Sequence, residues 1–196
     1  MRLVLASQSP SRRMILNNAG VDPVQHPAHV DEDAIIASLV DAAPASVVAS
    51  LARAKADAVA PEYPDDIVVG CDSMLLMNGE LQGKPHTVEE TIRRWKMQRG
   101  QTAELVTGHA IGFHGDWVVD TVSTRIHFGD ASDADIEAYA RSGEPLECAG
   151  AFTLEALGGW FIDSIEGDQT SVIGLSLPLL RKALYSFGVN ASDLWR

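Results

Sequence analysis

Apolar positions in this chain come in short runs separated by turn residues, and the runs change period along the sequence. Leu3, Val4 and Leu5 form a run that Ser7-Gln8-Ser9-Pro10 ends at once, which predicts a strand followed by a turn. Ser9 before Pro10 has the form of an N-cap followed by proline at the first helical position, so Arg12–Ala19 is predicted as a helix that Gly20 stops. Val30–Asp33 reads as an acidic loop. Val47, Val48, Leu51 and Val59 recur at helical spacing inside Ser46–Ala60, and Pro61 and Pro64 close that helix. Ile67–Gly70 has the continuous apolar character of a buried strand and passes through Cys71, Asp72 and Ser73 into Met74–Met77. Asn78-Gly79 then supplies a hairpin dipeptide.

Thr87 and Glu90 have capping-box spacing for a helix running to about Arg99, with Gly100 as its stop. Leu105–Phe113 and Trp117–Phe128 are β-rich and flank His114-Gly115-Asp116, which predicts a long hairpin. Ser132 can cap a helix whose first turn holds Asp133 and Asp135, where carboxylates suit the macrodipole, and Gly143 ends it. Trp160-Phe161-Ile162 is a short strand candidate. Leu179–Phe187, opened by Pro178, is the last helix. With no internal repeat, no low-complexity tract and no long linker, residues 1–196 are expected to form a single α/β domain with a mixed sheet.

Charge narrows the classes of partner. The chain has 27 acidic and 15 basic side chains, a formal charge of −12, so it would repel a nucleic-acid polymer or an anionic membrane as a whole. A small anion in a local pocket is not excluded. Met1–Val21 carries Arg2, Arg12 and Arg13 and no acidic residue, so an acidic chain begins basic. Cys71 and Cys148 lie far apart with no CxxC, which fits a reducing cytoplasm better than a disulfide framework or a zinc knuckle. The apolar run Leu3–Ala6 is too short for a signal peptide, and no stretch reaches the length of a membrane span.

Several common sites are absent: there is no GxGxxG and no GxSxG, and Gly79–Pro85 fails as a Walker A loop because its spacing is short and Pro85 stands where a hydroxyl is needed. The histidines are scattered and read as solvated or hydrogen-bonded. Polar clusters at element ends remain. Ser7, Ser9 and Arg12 lie at a predicted helix N-terminus, where free N–H groups, hydroxyls and a guanidinium fork suit a phosphate chain. Arginine in a first turn opposes the helix dipole, and a bound anion would relieve that opposition. Asp72, with Ser73 beside it, comes at the end of the most apolar strand, where a carboxylate can hold Mg²⁺ or take a proton from water. Lys84 follows the hairpin, and Glu32 sits in the acidic run. Arg53 and Lys55 are two apart on a helix, so at most one faces a given site. Arg93, Arg94, Lys96 and Arg99 read as an exposed helix face without a functional role. Each cluster also has an ordinary reading as cap, turn or solvated side chain. Together they contain the parts for phosphoanhydride hydrolysis.

The order LASQSPSRRMIL, VDE, LARAKA, VVGCDSMLL, GELQGKP, TGHAI, CAGAF and GDQTSVIGLSL resembles the Maf family of nucleoside triphosphate pyrophosphatases, also called septum-formation-inhibitor-like proteins, over about Leu3–Leu180. The resemblance implies an α/β fold related to inosine triphosphatase-like enzymes, with a mixed sheet flanked by helices and a cleft between two lobes, and a homodimer. It also implies hydrolysis of a nucleoside triphosphate to the monophosphate and pyrophosphate with Mg²⁺ or Mn²⁺. By motif, Asp72 matches the family's catalytic proton acceptor, Ser7, Ser9 and Arg12 its phosphate-binding turn, and Glu32, Lys55 and Lys84 its other polar site positions. Asp72 and Glu32 are the expected metal ligands.

At the positions where the family's substrate branches differ, this chain has Ser11, Ser73 and Glu155. The branch preferring uridine and thymidine triphosphates resembles SPRR, DT and a later Gln; the branch preferring 7-methyl-GTP resembles SPWRR, DQ and a Glu. Only Glu155 agrees with a branch. Its carboxylate can accept from the N–H donors of a guanine, which tips the expectation toward a purine-type base, with broad specificity as the alternative. The competing functional readings are a non-enzymatic regulator of septum formation and another phosphate-ester hydrolase.

Overall fold

The computed structural model describes residues 1–196 and is α/β, with a mixed, open seven-stranded sheet flanked by helices. Strands β1 (Leu3–Leu5), β2 (Val24–Gln25), β3 (Ile67–Met77), β4 (Glu80–Gln82), β5 (Thr102–Phe113), β6 (Asp116–Phe128) and β7 (Ile162–Glu166) pair in the order β2-β1-β3-β5-β6-β7, with β4 on β3. β1 runs parallel to β2 and β3, whereas β4 on β3 and β7 on β6 are antiparallel. The helices are α1 (Pro10–Asn18), α2 (Glu32–Ser38), α3 (Pro44–Val59), α4 (Val88–Gln98), α5 (Asp133–Arg141), α6 (Gln169–Ile173) and α7 (Leu177–Ser186).

The chain forms two compact units. The first comprises Met1–Asp72, Thr107–Val122 and Gly174–Arg196. Its core includes Val4, Ala6, Ala52, Ala56, Val59, Val68 and Ala110, residues small enough for helix and sheet to come into close contact. Two glycines carry that closeness furthest. A Cβ on Gly70 of β3 would lie 2.2 Å from the carbonyl oxygen of Ala52, and one on Gly108 of β5 would lie 2.3 Å from that of Val48. Helix α3 therefore rests its backbone directly on two strands, which sets both its height and its rotation.

The second unit comprises Ser73–Val106 and Ser123–Ile173. Its core is built around the fully buried Trp95, which meets Phe128, Tyr139 and Phe161 edge-on and donates its indole N–H to the Ala151 carbonyl at 2.7 Å. An indole N–H needs such a partner when buried, and the edge-on rings suit the aromatic quadrupoles.

Three local expectations are corrected. The acidic segment at Val30–Asp33 is no loop throughout: Asp31 accepts from the Ala34 N–H at 2.9 Å as N-cap and Glu32 opens α2. Trp160 and Phe161 lie in a 3₁₀ turn, and the strand begins only at Ile162. Asp72 sits within β3 rather than at its end, because the strand continues to Met77.

Replacing Gly70 with alanine is expected to lower unfolding stability by at least about 2 kcal/mol, toward the upper end of the usual overpacking cost, because the obstructing atoms are helix backbone. Urea denaturation measures this directly. A midpoint equal to that of the unmodified protein would contradict the close packing of α3.

Candidate functional site

Within the first unit the chain places seven of the sequence-selected residues on adjoining elements: Ser7, Ser9, Ser11 and Arg12 around the start of α1, Glu32 at the start of α2, Lys55 on α3 and Asp72 on β3. The Lys55 ammonium lies 2.6 Å from Asp72 Oδ1 and 2.9 Å from Glu32 Oε1. Asp72 and Lys55 are nearly enclosed, with side chains 9% and 12% exposed, while Glu32 is about half exposed. Arg53, two residues earlier, turns elsewhere: it bonds Asp57 at 2.8 Å and lies over the Trp117 ring. The helical spacing thus separates the two cations as expected, and the backbone contact at Gly70 brings Lys55 to the strand that carries Asp72.

Asp72 Oδ1 accepts from Lys55, whereas its other oxygen, Oδ2, is buried without a hydrogen-bond partner. Burial raises the Asp72 pKa above the ordinary aspartate value. The charge and hydrogen bond of Lys55 and the charge of Arg12 oppose that rise only in part, and Glu32 adds to it. A carboxylate so placed is poised nearer neutrality than a solvated one, the condition a general base requires. Its neighbour Cys71 is fully buried and its thiol is pushed up to about 11, so it is inert as a nucleophile at neutral pH.

The turn before α1 is organised around hydroxyls. Ser7 Oγ accepts from the Ser9 N–H at 3.2 Å and from Arg12 Nη1 at 3.1 Å, and Ser9 Oγ caps the helix by accepting from the Arg12 N–H. A hydroxyl that accepts in this way can still donate its own proton to a ligand. Arg12 Nε donates to the Gly174 carbonyl at 2.8 Å, so protein acceptors meet the charge that the helix dipole disfavours. No acidic residue lies in the first turn of α1. Ser11 occupies the next helical position after Pro10, half-buried.

The other selected residues belong to the second unit. Lys84 follows β4 and is exposed, 3.3 Å from Glu147; His86, with φ +60°, also contacts Glu147, at 3.2 Å. The bond from His86, with lesser help from Lys84, holds the Glu147 pKa low against the opposing effect of burial. Ser73 follows Asp72 on β3 and is half-buried. Glu155 is exposed, and its Oε2 accepts from the Leu154 N–H at 3.0 Å.

Two residues in this unit were not selected from sequence. Arg94 is no member of an exposed face: its side chain is 13% exposed, and it donates to Glu90 and to the Gly83 carbonyl, each at 2.7 Å, pinning the turn before Lys84. Glu144 accepts from the hydroxyl of Thr153 and from the backbone N–H of Leu157 and Gly158, which ties down the segment bearing Glu155. Burial would raise the Glu144 pKa, but these bonds outweigh it and hold the carboxyl below its ordinary range. The one available sequence signal for Glu144 was its place in Gly143-Glu144-Pro145, where Gly143 takes a left-handed φ of +80°.

Comparison with known proteins gives a family match over nearly the whole chain: a family model described as Maf-like protein matches residues 2–187. The chain is 71% identical over 195 residues to a nucleoside triphosphate pyrophosphatase of Corynebacterium efficiens, covering 100% of this chain and 99% of that protein. It is 68% identical over 195 residues to one of Corynebacterium glutamicum strain R, again covering 100% and 99%. A more distant relative of the same name, from Nocardia farcinica, is 56% identical over 204 residues, covering 99% of this chain and 96% of its own.

Lys55 makes a testable electrostatic demand. Replacing it with methionine leaves Asp72 enclosed without its nearest cation and drives the Asp72 pKa further upward. A raised carboxylate pKa costs stability fully above the folded value and not at all below the unfolded value, near 4. Lys55→Met is therefore expected to be destabilised by about 3–5 kcal/mol at pH 8, the usual cost of breaking a buried pair, with the deficit shrinking as pH falls toward 5. Urea unfolding at the two pH values reads this, and a deficit independent of pH would contradict it.

Proposed function

The chain belongs to the Maf-like protein family, and from that premise we propose that it is a nucleoside triphosphate pyrophosphatase, releasing a nucleoside monophosphate and pyrophosphate. The observation that carries the reading is the buried Asp72, with one oxygen on Lys55 and the other unpartnered, in the same unit as a hydroxyl-rich helix start that holds Arg12. The Arg12 charge is felt at Asp72, so the cationic turn and the carboxylate act within one electrostatic environment.

In this reading Asp72 accepts a proton from water as the water oxygen bonds to the α-phosphorus. The bond from that phosphorus to the α–β bridging oxygen breaks, and the electron pair leaves with pyrophosphate. Ser7, Ser9 and the α1 N-terminus donate to the phosphates, and Arg12 and Lys55 balance the charge that builds on the departing group. Lys84, an exposed ammonium after the β4 turn, is assigned a similar phosphate role on the strength of the motif.

A divalent cation, Mg²⁺ or Mn²⁺, is part of the proposal. The donor set suits a cation carried by the substrate: Asp72 offers an unpartnered oxygen and Glu32 a half-exposed carboxylate, while no group of three or more acidic, histidine or cysteine ligands forms a cage of its own. Magnesium is commonly held in this manner, by one or two carboxylates and the phosphates. When bound, such a cation would neutralise phosphate charge and polarise the phosphorus toward attack.

Ser11, Ser73 and Glu155 are proposed as the positions that set base preference, with Glu155 favouring a purine-type base. A cytoplasmic homodimer is the remaining part of the proposal, drawn from the family resemblance. Both cysteines are free, which accords with a reducing compartment, and no helix is long and apolar enough to cross a membrane.

Three experiments bear on these assignments. Incubation of the unmodified protein with a panel of nucleoside triphosphates and Mg²⁺ or Mn²⁺ is expected to yield monophosphate plus pyrophosphate; diphosphate plus orthophosphate would overturn the reaction. Asp72→Asn is expected to lower turnover by at least about a hundredfold, the range of a lost general base, while circular dichroism stays unchanged. In the same panel Glu155→Gln is expected to lower the purine-to-pyrimidine ratio of kcat/KM about tenfold, the size of one lost charge-assisted hydrogen bond. An unchanged ratio would remove Glu155 from base selection.

A further inference from the structure

Arg12 is held by more than its own helix. Its Nε donates to the Gly174 carbonyl at 2.8 Å and its Nη1 to Ser7 Oγ at 3.1 Å, so two bonds on different nitrogens set the plane of the guanidinium. Gly174 is also the only kind of residue that suits that place. Its φ is +131°, outside the range comfortable for L side chains, and a Cβ there would stand 3.1 Å from Arg12 Nε and 3.3 Å from Arg12 Cγ. Both the carbonyl and the missing side chain of Gly174 thus determine where the guanidinium lies.

The turn that presents Gly174 is fixed from β5. The Ser176 N–H donates to His109 Nε2 at 2.8 Å, and both residues are buried. An amide N–H can only donate, so Nε2 carries no proton and His109 serves as the acceptor that anchors this turn. Ser176 in turn caps α7 by accepting from the Leu179 N–H at 3.1 Å, and Leu175, between Gly174 and Ser176, is fully buried. The backbone from Gly174 to Ser176 is held by an imidazole, a helix cap and a buried leucine, with no solvent-facing slack.

We propose that Gly174 and His109 are positioning residues for Arg12, acting through the Gly174–Ser176 turn to hold the guanidinium in the orientation in which it meets substrate phosphate. The inference rests on the phosphate role assigned to Arg12. An arginine fork gives directional, bidentate recognition only when its plane is fixed, and a long flexible side chain that is already ordered loses less freedom on binding. His109 and Gly174 make no direct contact with phosphate in this scheme.

A double-mutant cycle tests it. Gly174→Ala and His109→Leu are each made in the unmodified protein and in the Arg12→Ala background, with two readouts: kcat/KM for pyrophosphate release from a nucleoside triphosphate, and the Kd for inorganic pyrophosphate by calorimetry. Each variant is expected to weaken both readouts about tenfold in the presence of Arg12 and less than about twofold in its absence, since residues that act through a shared partner are not additive. His109→Gln, which keeps an acceptor for the Ser176 N–H, is expected to recover most of the loss. Equal losses in both backgrounds, or no loss in either, would overturn the proposal. The two substitutions reach the turn from different elements, so one carries the test should the other fail to fold, as urea unfolding will show. Absence of turnover in the unmodified protein would defeat the assigned reaction, while the pyrophosphate Kd cycle would still decide the positioning of Arg12.

Discussion

The pairing of Lys55 with Asp72 constrains much of the first unit. Removing two opposite charges from water costs several kcal/mol per ion before their attraction is counted, and an ion pair of this kind rarely adds net stability over an apolar pair of similar volume. Its persistence therefore requires a frame that over-determines it. That frame is visible: α3 lies with its backbone on Gly70 and Gly108, and Ala52 and Ala56 fill the contact. At that separation, a lysine on the turn between Ala52 and Ala56 reaches the strand two residues beyond Gly70. Had either glycine carried a side chain, the helix would stand off and the ammonium would move away from Asp72.

This geometry leaves the pair incomplete in a useful direction. Lys55 satisfies one oxygen of Asp72 and shares its charge with Glu32, while Asp72 Oδ2 is buried without a partner. An orphaned carboxylate oxygen in an enclosed site costs stability that the unliganded protein does not recover. A water proton or a phosphate-borne cation would supply what is missing. The raised pKa of Asp72 is the same fact in another form: burial outweighs the attraction of its cations, so the carboxylate gains from a proton more than a solvated aspartate does.

Much of this organisation was legible in the sequence, and the limits have physical causes. The caps at Ser9, Thr87 and Ser132 use local hydrogen bonds, which short-range patterns encode, and each accepts the backbone N–H expected of it. Helical spacing alone separated Arg53 from Lys55. By contrast, the acidic character of Asp31–Asp33 suggested a solvated loop, although Asp31 is an N-cap and acidic residues favour a first helical turn; composition masked a capping signal. Trp160 and Phe161 have strand-forming side chains, yet the Cβ-free Gly158 packs against the Thr153 backbone and keeps that stretch in a tight turn. Arg94 and Glu144 were missed for a different reason. Beside a side-chain partner each, Glu90 for Arg94 and Thr153 for Glu144, they bind backbone groups of other segments, the Gly83 carbonyl and the Leu157 and Gly158 N–H groups, and no one-dimensional pattern records where a backbone polar group will go unsatisfied.

The basic start of an otherwise acidic chain takes its meaning from the same bonds. Of the three arginines between Met1 and Val21, Arg2 is bound to Asp66 and Arg13 contacts Gln25, so neither is simply part of a diffuse positive patch. Arg12 alone is directed to the hydroxyl turn, held there by Ser7 and a glycine carbonyl. Under the proposed reading, net charge disfavours a phosphate polymer, while local acceptors decide which cation would serve the site. Under that reading, a chain of charge −12 can hold a triphosphate when part of its cationic set is fixed and shielded from water, as the nearly enclosed Lys55 and the partly buried Arg12 are, since their attraction for phosphate is then screened less than the repulsion from carboxylates spread over a solvated surface.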